Sequence, residues 1–213
     1  MTIDRTIKAL FFDIGGVLVR VDSSSAIEKL SNRLRVEEGA IREAMSPELL
    51  EQYEKGHLNS NQFYENLLIN CESGEKIGIG EFKKYWQDVL FPNDDMLDFL
   101  EKATQRLPVW LLSNTNDFHF DMLIEKFPFM NWVNGGTYSF IEGSMKPEPL
   151  IYERAIRRSG KQPHQILFID DLEKNVTAAR EQVLNAIHYQ DFQAFQHELR
   201  SNYPDLESLI ESV

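Results

Sequence analysis

The stretch from Ile7 to Phe12 is apolar or aromatic at every position except Lys8, then meets Asp13, Ile14, Gly15 and Gly16 before a second apolar run, Val17 to Val19. Such a run, bounded by turn residues, predicts a buried parallel strand that delivers one carboxylate to its carboxyl end. From Asp22 to about Pro92 the period becomes helical. Ser25 and Glu28 have capping-box spacing, and Ala26, Ile27, Leu30 and Leu34 then share one helical face. Ser46 before Pro47 predicts a second helix start, Gly56 its break, and Ser60 the cap of a helix whose apolar side holds Phe63, Leu67 and Leu68. Phe82, Tyr85, Trp86, Val89 and Leu90 form a further helical stripe, so this segment carries hardly any strand signal.

From Asn93 onward, apolar strands alternate with helices. Helices are predicted over 95–106, 117–126, 148–159 and 173–182, strands over 108–112, 165–169 and 185–188, and helical segments from Asp191 and Pro204. The first strand belongs to this second set, because its buried run has no partner among the helices that follow it. The expected architecture is an α/β core, residues 1–20 and 93–213, interrupted after its first strand by a helical insertion, residues 21–92. No internal repeat or low-complexity tract is present.

Composition narrows the classes of function. Hydrophobic residues make up 42% of the 213 positions and aromatics 11%, which argues against disorder. The formal net charge of −12, with no basic stripe, argues against general binding to nucleic acid or anionic membrane. An anionic substrate stays possible, because a bound divalent cation inverts the field locally. Cys71 is the only cysteine, which excludes an intrachain disulfide or a thiolate metal cluster. The amino terminus is polar and charged at Asp4, Arg5 and Lys8, and no apolar stretch approaches membrane-spanning length. A reducing, cytoplasmic setting is the expectation.

The candidate chemistry lies at the strand ends. Asp13 alone would fit a turn or a helix cap, but the Gly15-Gly16 pair beside it lets backbone approach a ligand, and its carboxylate suits a nucleophile toward phosphorus or a ligand of a hard metal. Asp170 and Asp171 follow the strand Gln165–Ile169. Adjacent carboxylates repel unless a cation sits between them, and oxygen-only ligands from Asp13 and this pair suit Mg²⁺. The competing reading is that Asp171 caps the next helix while Asp170 faces solvent. Ser113, Asn114 and Thr115 can hold phosphate oxygens, although the same triplet is a common cap. Lys146, directed by Pro147, offers a cation that would offset phosphate charge and keep Asp13 ionised.

Taken in order, Phe12-Asp13-Ile14-Gly15-Gly16-Val17, Leu112-Ser113-Asn114-Thr115, Lys146-Pro147 and Phe168-Ile169-Asp170-Asp171 resemble the four signatures of the haloacid dehalogenase-like superfamily. The insertion after the first strand is similar to the helical cap of its first subfamily. The resemblance implies a Rossmann-like core under that cap, and hydrolysis of a phosphate monoester, a small phosphorylated metabolite, through an aspartyl-phosphate with Mg²⁺. It implies Asp13 as nucleophile, and Ser113, Asn114 and Lys146 as phosphate-binding and orienting groups. Asp13, the Gly15 carbonyl, Asp170 and Asp171 would hold the metal, with Asn175 positioning Lys146 or the metal loop.

One position departs from the family pattern. Phosphatases of the superfamily usually carry an acid/base aspartate two residues after the nucleophile, where this chain has Gly15. Losing a general acid costs about 10²- to 10⁴-fold in rate. Four readings follow: a slow phosphatase, a cap residue that substitutes, a substrate with a good leaving group, or phosphate binding without turnover. A bacterial branch with Asp-x-Gly-[Asn/Gly]-Val resembles this chain and includes a glucose-1-phosphate phosphatase, which favours a sugar phosphate. Dehalogenases of the superfamily also lack the second aspartate, but they do not need the acidic pair that stands here at Asp170-Asp171. In the insertion, Glu54 and His57 are the candidate cap acids, with His57 better suited to an exposed turn.

Overall fold

The computed structural model describes residues 6–210, so Asp4 and Arg5 lie outside the described residues. In chain order the elements are β1 (Ala9–Phe12), β2 (Val19–Val21), α1 (Ser24–Leu34), α2 (Glu38–Ala44), α3 (Pro47–Glu54), α4 (Ser60–Asn70), α5 (Ile79–Trp86), β3 (Leu90–Pro92), α6 (Asp94–Thr104), β4 (Val109–Ser113), α7 (Asp117–Lys126), β5 (Gly135–Tyr138), α8 (Ser139–Glu142), α9 (Pro149–Ser159), β6 (Ile166–Asp170), α10 (Glu173–Glu181), β7 (Asn185–His188) and α11 (Phe192–Asn202). Short 3-10 segments cover Pro128–Asn131, Pro163–Gln165 and Pro204–Leu209.

Five strands form a parallel sheet in the order β5-β4-β1-β6-β7. Counted along the sheet strands alone this is the doubly wound order 3-2-1-4-5, which reverses direction between β1 and β6 and opens a crevice at their carboxyl ends. Alternate residues of the strands enter opposite cores. Leu10 and Phe12 of β1, with Leu167 and Ile169 of β6, face α6, α7 and α11, whereas Ala9, Phe11, Ile166 and Phe168 face α9 and α10. Both faces are therefore covered, which is why these strands read as unbroken apolar runs.

The helical insertion is bracketed by a feature the hydrophobic pattern did not reveal. Val19–Val21 and Leu90–Pro92 pair as an antiparallel ribbon, so both chain connections of the insertion run side by side. Val89 and Leu90 therefore leave the predicted helical stripe, because α5 ends at Trp86. The edge strand β5 was also not predicted. Its Gly135-Gly136 start has no strand propensity, but Gly135 leaves room for the Trp110 ring, whose nearest atom would stand 2.9 Å from a side chain at 135, and Gly136 for the Tyr138 side chain.

Two predicted caps are corrected. α1 begins one residue ahead of Ser25, where Asp22 Oδ1 accepts the Ser24 N–H at 3.0 Å. α4 is capped by Asn59, in a reciprocal box with Gln62, so the Ser60 hydroxyl turns elsewhere. Ser46 caps α3 as expected, accepting the Leu49 N–H. Among the described residues no helix is long and apolar enough to cross a membrane.

Candidate active site

The Asp13 N–H donates to the Ile169 carbonyl at 2.9 Å, which extends the β1–β6 pairing by one step and sets Asp13 beside Asp170. Carboxylate oxygens of Asp13, Asp170 and Asp171 all lie within 4.8 Å of one another. Lys146 enters from the loop after α8 and is fully buried, with its ammonium 2.9 Å from Asp13 Oδ2 and 2.6 Å from Asp170 Oδ2. Lys146 pairs with two of the three carboxylates and Asp171 adds a third, so the cluster holds a surplus of acidic groups where burial makes negative charge costly.

The two members of the acidic pair have different tasks. Asp170 is wholly buried: one oxygen accepts the Leu172 N–H and Asn175 Nδ2, each at 2.9 Å, and the other accepts Lys146. Its lone pairs are largely committed to the protein. Asp171 lines an open cavity of about 780 Å³ together with Asp13, Gly15, Asn114 and Lys146. Neither half of the cap-and-solvent alternative holds, since Asp170 is the buried one and the residue preceding α10 is Leu172. Gly16 explains the glycine pair: its φ is +77°, and a Cβ there would lie 2.2 Å from the Asp171 carboxylate.

Burial raises the Asp13 carboxyl to about 7, against the opposing pull of Lys146 and with a further push from Asp170. Burial also raises Asp171, and the neighbouring Asp170 charge adds to it. For Lys146 burial disfavours the ammonium, but Asp13 and Asp170 outweigh it and the net direction is upward. A cation bound here would reverse the carboxylate shifts.

Asn114 acts differently from a simple phosphate donor. Its Oδ1 accepts the Lys146 N–H at 2.8 Å and its Nδ2 donates to the Lys146 carbonyl at 2.9 Å, a two-way clamp on the loop that carries the ammonium. Ser113 is buried at the end of β4, behind Asn114, and does not line the cavity. Thr115 is fixed by a matching pair of bonds with the Ser139 hydroxyl. Asn175 is buried, with Nδ2 on Asp170 and Oδ1 without a partner. Glu54 lines the cavity from the end of α3, whereas His57 faces a separate surface hollow with Glu48 and Glu51. Lys174 and Arg20 also line the cavity. Sequence reasoning missed both, because a lysine in the first turn of a polar helix and an arginine after an apolar run look like ordinary solvated charges.

The donor set fits a hard divalent cation. All candidate ligands are oxygens, the three carboxylates already converge, and the unpartnered Asn175 Oδ1 can accept from a water of the ion's outer shell.

A carboxylate cluster with one buried lysine, at the switch point of a doubly wound sheet, defines an α/β protein built to bind a hard metal and an anion. The chain belongs to the haloacid dehalogenase-like hydrolase family, whose sequence profile matches residues 7–181. D-ribitol-5-phosphate phosphatase of Bacteroides thetaiotaomicron is 27% identical over 184 residues, covering 82% of this chain and 88% of that one. A sesquiterpene phosphatase of Aspergillus oryzae is 28% identical over 205 residues, covering 92% and 96%. The fold is similar to that of a Bacteroides thetaiotaomicron enzyme of the same family, crystallised with magnesium and inorganic phosphate, at a TM-score of 0.78 and 26% identity, covering 89% of this chain and 98% of that one.

Proposed function

We propose that the protein is a Mg²⁺-dependent phosphatase of small, polyhydroxylated phosphomonoesters, with helical segment 21–92 acting as a cap over the site. The observation that carries this reading is the convergence of Asp13, Asp170 and Asp171 within 4.8 Å around Lys146. Asp13 is the nucleophile: the Ile14 N–H holds Oδ1 at 2.7 Å and Lys146 holds Oδ2, so the carboxylate is oriented before substrate arrives. Attack on phosphorus makes an aspartyl-phosphate, which water then hydrolyses. Asp13, the Gly15 carbonyl and Asp171 would hold the metal, with Asp170 positioning Lys146 and the loop. When bound, Mg²⁺ supplies charge neutralisation for the phosphoryl oxygens. Lys146 and Asn114 form the phosphate side, Asn114 mainly by fixing the lysine loop, while Ser113, the expected third member, is buried at the end of β4.

Cavity chemistry supports a hydroxylated substrate. Beyond the acidic cluster its wall presents Asp95, Gln190 and Lys174, side chains that pair with hydroxyl groups, beside the apolar Val21, Met145, Leu172 and Phe192. The polar part of this wall matches the substrate chemistry of the ribitol-phosphate enzyme, one of the two named relatives. The dehalogenase alternative leaves the carboxylate surplus without a cation to balance it.

The test is hydrolysis of p-nitrophenyl phosphate, ribitol 5-phosphate, glucose 1-phosphate and farnesyl phosphate with Mg²⁺ and then with EDTA. Turnover of the polyol and sugar esters that EDTA and Asp13→Asn abolish supports the reading. Tight Mg²⁺-dependent phosphate binding without turnover of any ester would identify a phosphate-binding protein instead.

A further inference from the structure

The position where the family places its acid/base group carries no side chain in this protein, and the structure shows space there: a Cβ on Gly15 would meet only Val21 Cγ2, at 3.7 Å. One carboxyl from the insertion faces the same cavity. Glu54, the last residue of α3, lines it together with Asp13, Gly15 and Lys146. Its side chain has no hydrogen-bond or ion-pair partner among the described residues, so neither oxygen is committed elsewhere.

The backbone around Glu54 is anchored to the core on its carboxyl-terminal side. Lys55 pairs with Glu148, in the loop of Lys146, at 2.5 Å, and with Glu51 at 2.7 Å. Gly56, at φ +69°, passes so close to the Phe140 carbonyl that a Cβ would lie 2.1 Å from it. Four residues on, the Ser60 hydroxyl donates to Asp117 Oδ1 at 2.6 Å and meets the Tyr53 hydroxyl at 2.9 Å. These contacts place the end of α3 over the strand ends, and Glu54 projects from that end.

We infer that Glu54 takes the place of the aspartate absent at position 15, as proton donor to the leaving oxygen and then as proton acceptor from the attacking water. The inference rests on the phosphatase reading. In the first step an Asp13 oxygen forms a bond to phosphorus, the bond from phosphorus to the ester oxygen breaks, and that oxygen leaves as the alcohol with the Glu54 proton. In the second step the Glu54 carboxylate takes one proton from water while the water oxygen bonds to phosphorus. The bond from phosphorus to Asp13 then breaks, releasing inorganic phosphate and restoring both carboxyl groups. Burial raises the Glu54 carboxyl, the direction a proton donor requires, although Lys146 and Lys174 pull the other way.

The experiment compares wild type, Glu54→Gln and Gly15→Asp/Glu54→Gln on ribitol 5-phosphate and p-nitrophenyl phosphate with Mg²⁺. The alkoxide leaving group needs the proton, whereas p-nitrophenolate does not. Glu54→Gln should lose about 10²- to 10⁴-fold on ribitol 5-phosphate. On p-nitrophenyl phosphate it should release one equivalent of p-nitrophenol per enzyme in a fast burst, followed by slow turnover, because the second step lacks its base. Adding Gly15→Asp should recover at least about tenfold of the lost ribitol-phosphate rate. Phosphate binding in Mg²⁺, followed by calorimetry, should be unchanged and show the variant folded. Equal losses on both esters with no burst, or a ribitol-phosphate rate within about threefold of wild type, overturn the role of Glu54. An inactive wild type, or an Asp13→Asn variant that still turns over, instead overturns the phosphatase reading and the inference with it.

Discussion

Lys146→Met tests how the acidic cluster is held together. The lysine is fully buried and touches Asp13 at 2.9 Å and Asp170 at 2.6 Å. Methionine fills most of the stem volume, so the perturbation is mainly the loss of one charge that leaves two buried carboxylates facing each other. Removing one partner of a buried ion pair costs about 3–5 kcal/mol. Asp170 keeps the Leu172 N–H and Asn175, which favours the lower part of that range. In a chain of this size each kcal/mol moves Tm by about 2–4 °C, so the metal-free variant should melt about 6–20 °C below wild type. Mg²⁺ restores positive charge at the same carboxylates, and the gap should narrow when it is added. Scanning calorimetry of both proteins in EDTA and in Mg²⁺ measures this. A loss under about 1 kcal/mol in EDTA, or a gap that Mg²⁺ leaves unchanged, would refute the charge-balance argument.

Other expectations follow from particular contacts. Gly16→Ala drives a methyl into the Asp171 carboxylate at a left-handed φ, so Mg²⁺ affinity measured by titration should fall at least about tenfold while circular dichroism stays native. Asn114→Ala removes both bonds to the Lys146 backbone. It should cost about 1–3 kcal/mol of stability in urea melts and lower kcat more than it raises KM. Asp117→Asn weakens the tie between Ser60 and the core, and limited proteolysis should then cut the 21–92 segment faster. Burial lowers His119 to about 4 against an opposing pull from Asp117. Its folded value is depressed below the unfolded one, so it contributes stability that is lost as pH falls from about 6.5 toward 4. His119→Gln should reduce the Tm difference between pH 7 and pH 4.5; an unchanged difference would show that His119 does not titrate this way.

Much of the core was legible because the strands are covered on both faces. Ile166–Asp170 and Val109–Ser113 lie within a residue of their predicted bounds, and the helix Asp117–Lys126 and strand Asn185–His188 match theirs. Asp13, Asp170 and Asp171 were recognisable because each follows an apolar strand, whereas Lys146, in the loop after α8, joined them only through the family resemblance. What failed were short elements whose signal is tertiary. The ribbon Val19–Val21 with Leu90–Pro92 joins segments about seventy positions apart, and neither half is long enough to announce itself. The edge strand begins with two glycines and exists because β4 offers an open edge beside Trp110.

By itself the sequence determined which groups could do chemistry here: oxygen ligands and one lysine, no thiolate cluster, and a glycine where an acid was expected. Period and composition carry that information, since they record which residues must be buried and which chemical types are present. Only the tertiary structure divided the labour between neighbours of the same type. It buried Asp170 as a structural acceptor and left Asp171 at the cavity, turned Asn114 into a clamp on the Lys146 loop, and brought Glu54 from the insertion to the wall of the cavity that Gly15 also lines. Adjacent aspartates are alike in one dimension; their depth and hydrogen-bond partners are set by strand pairing and loop packing, which arise from contacts far apart along the chain.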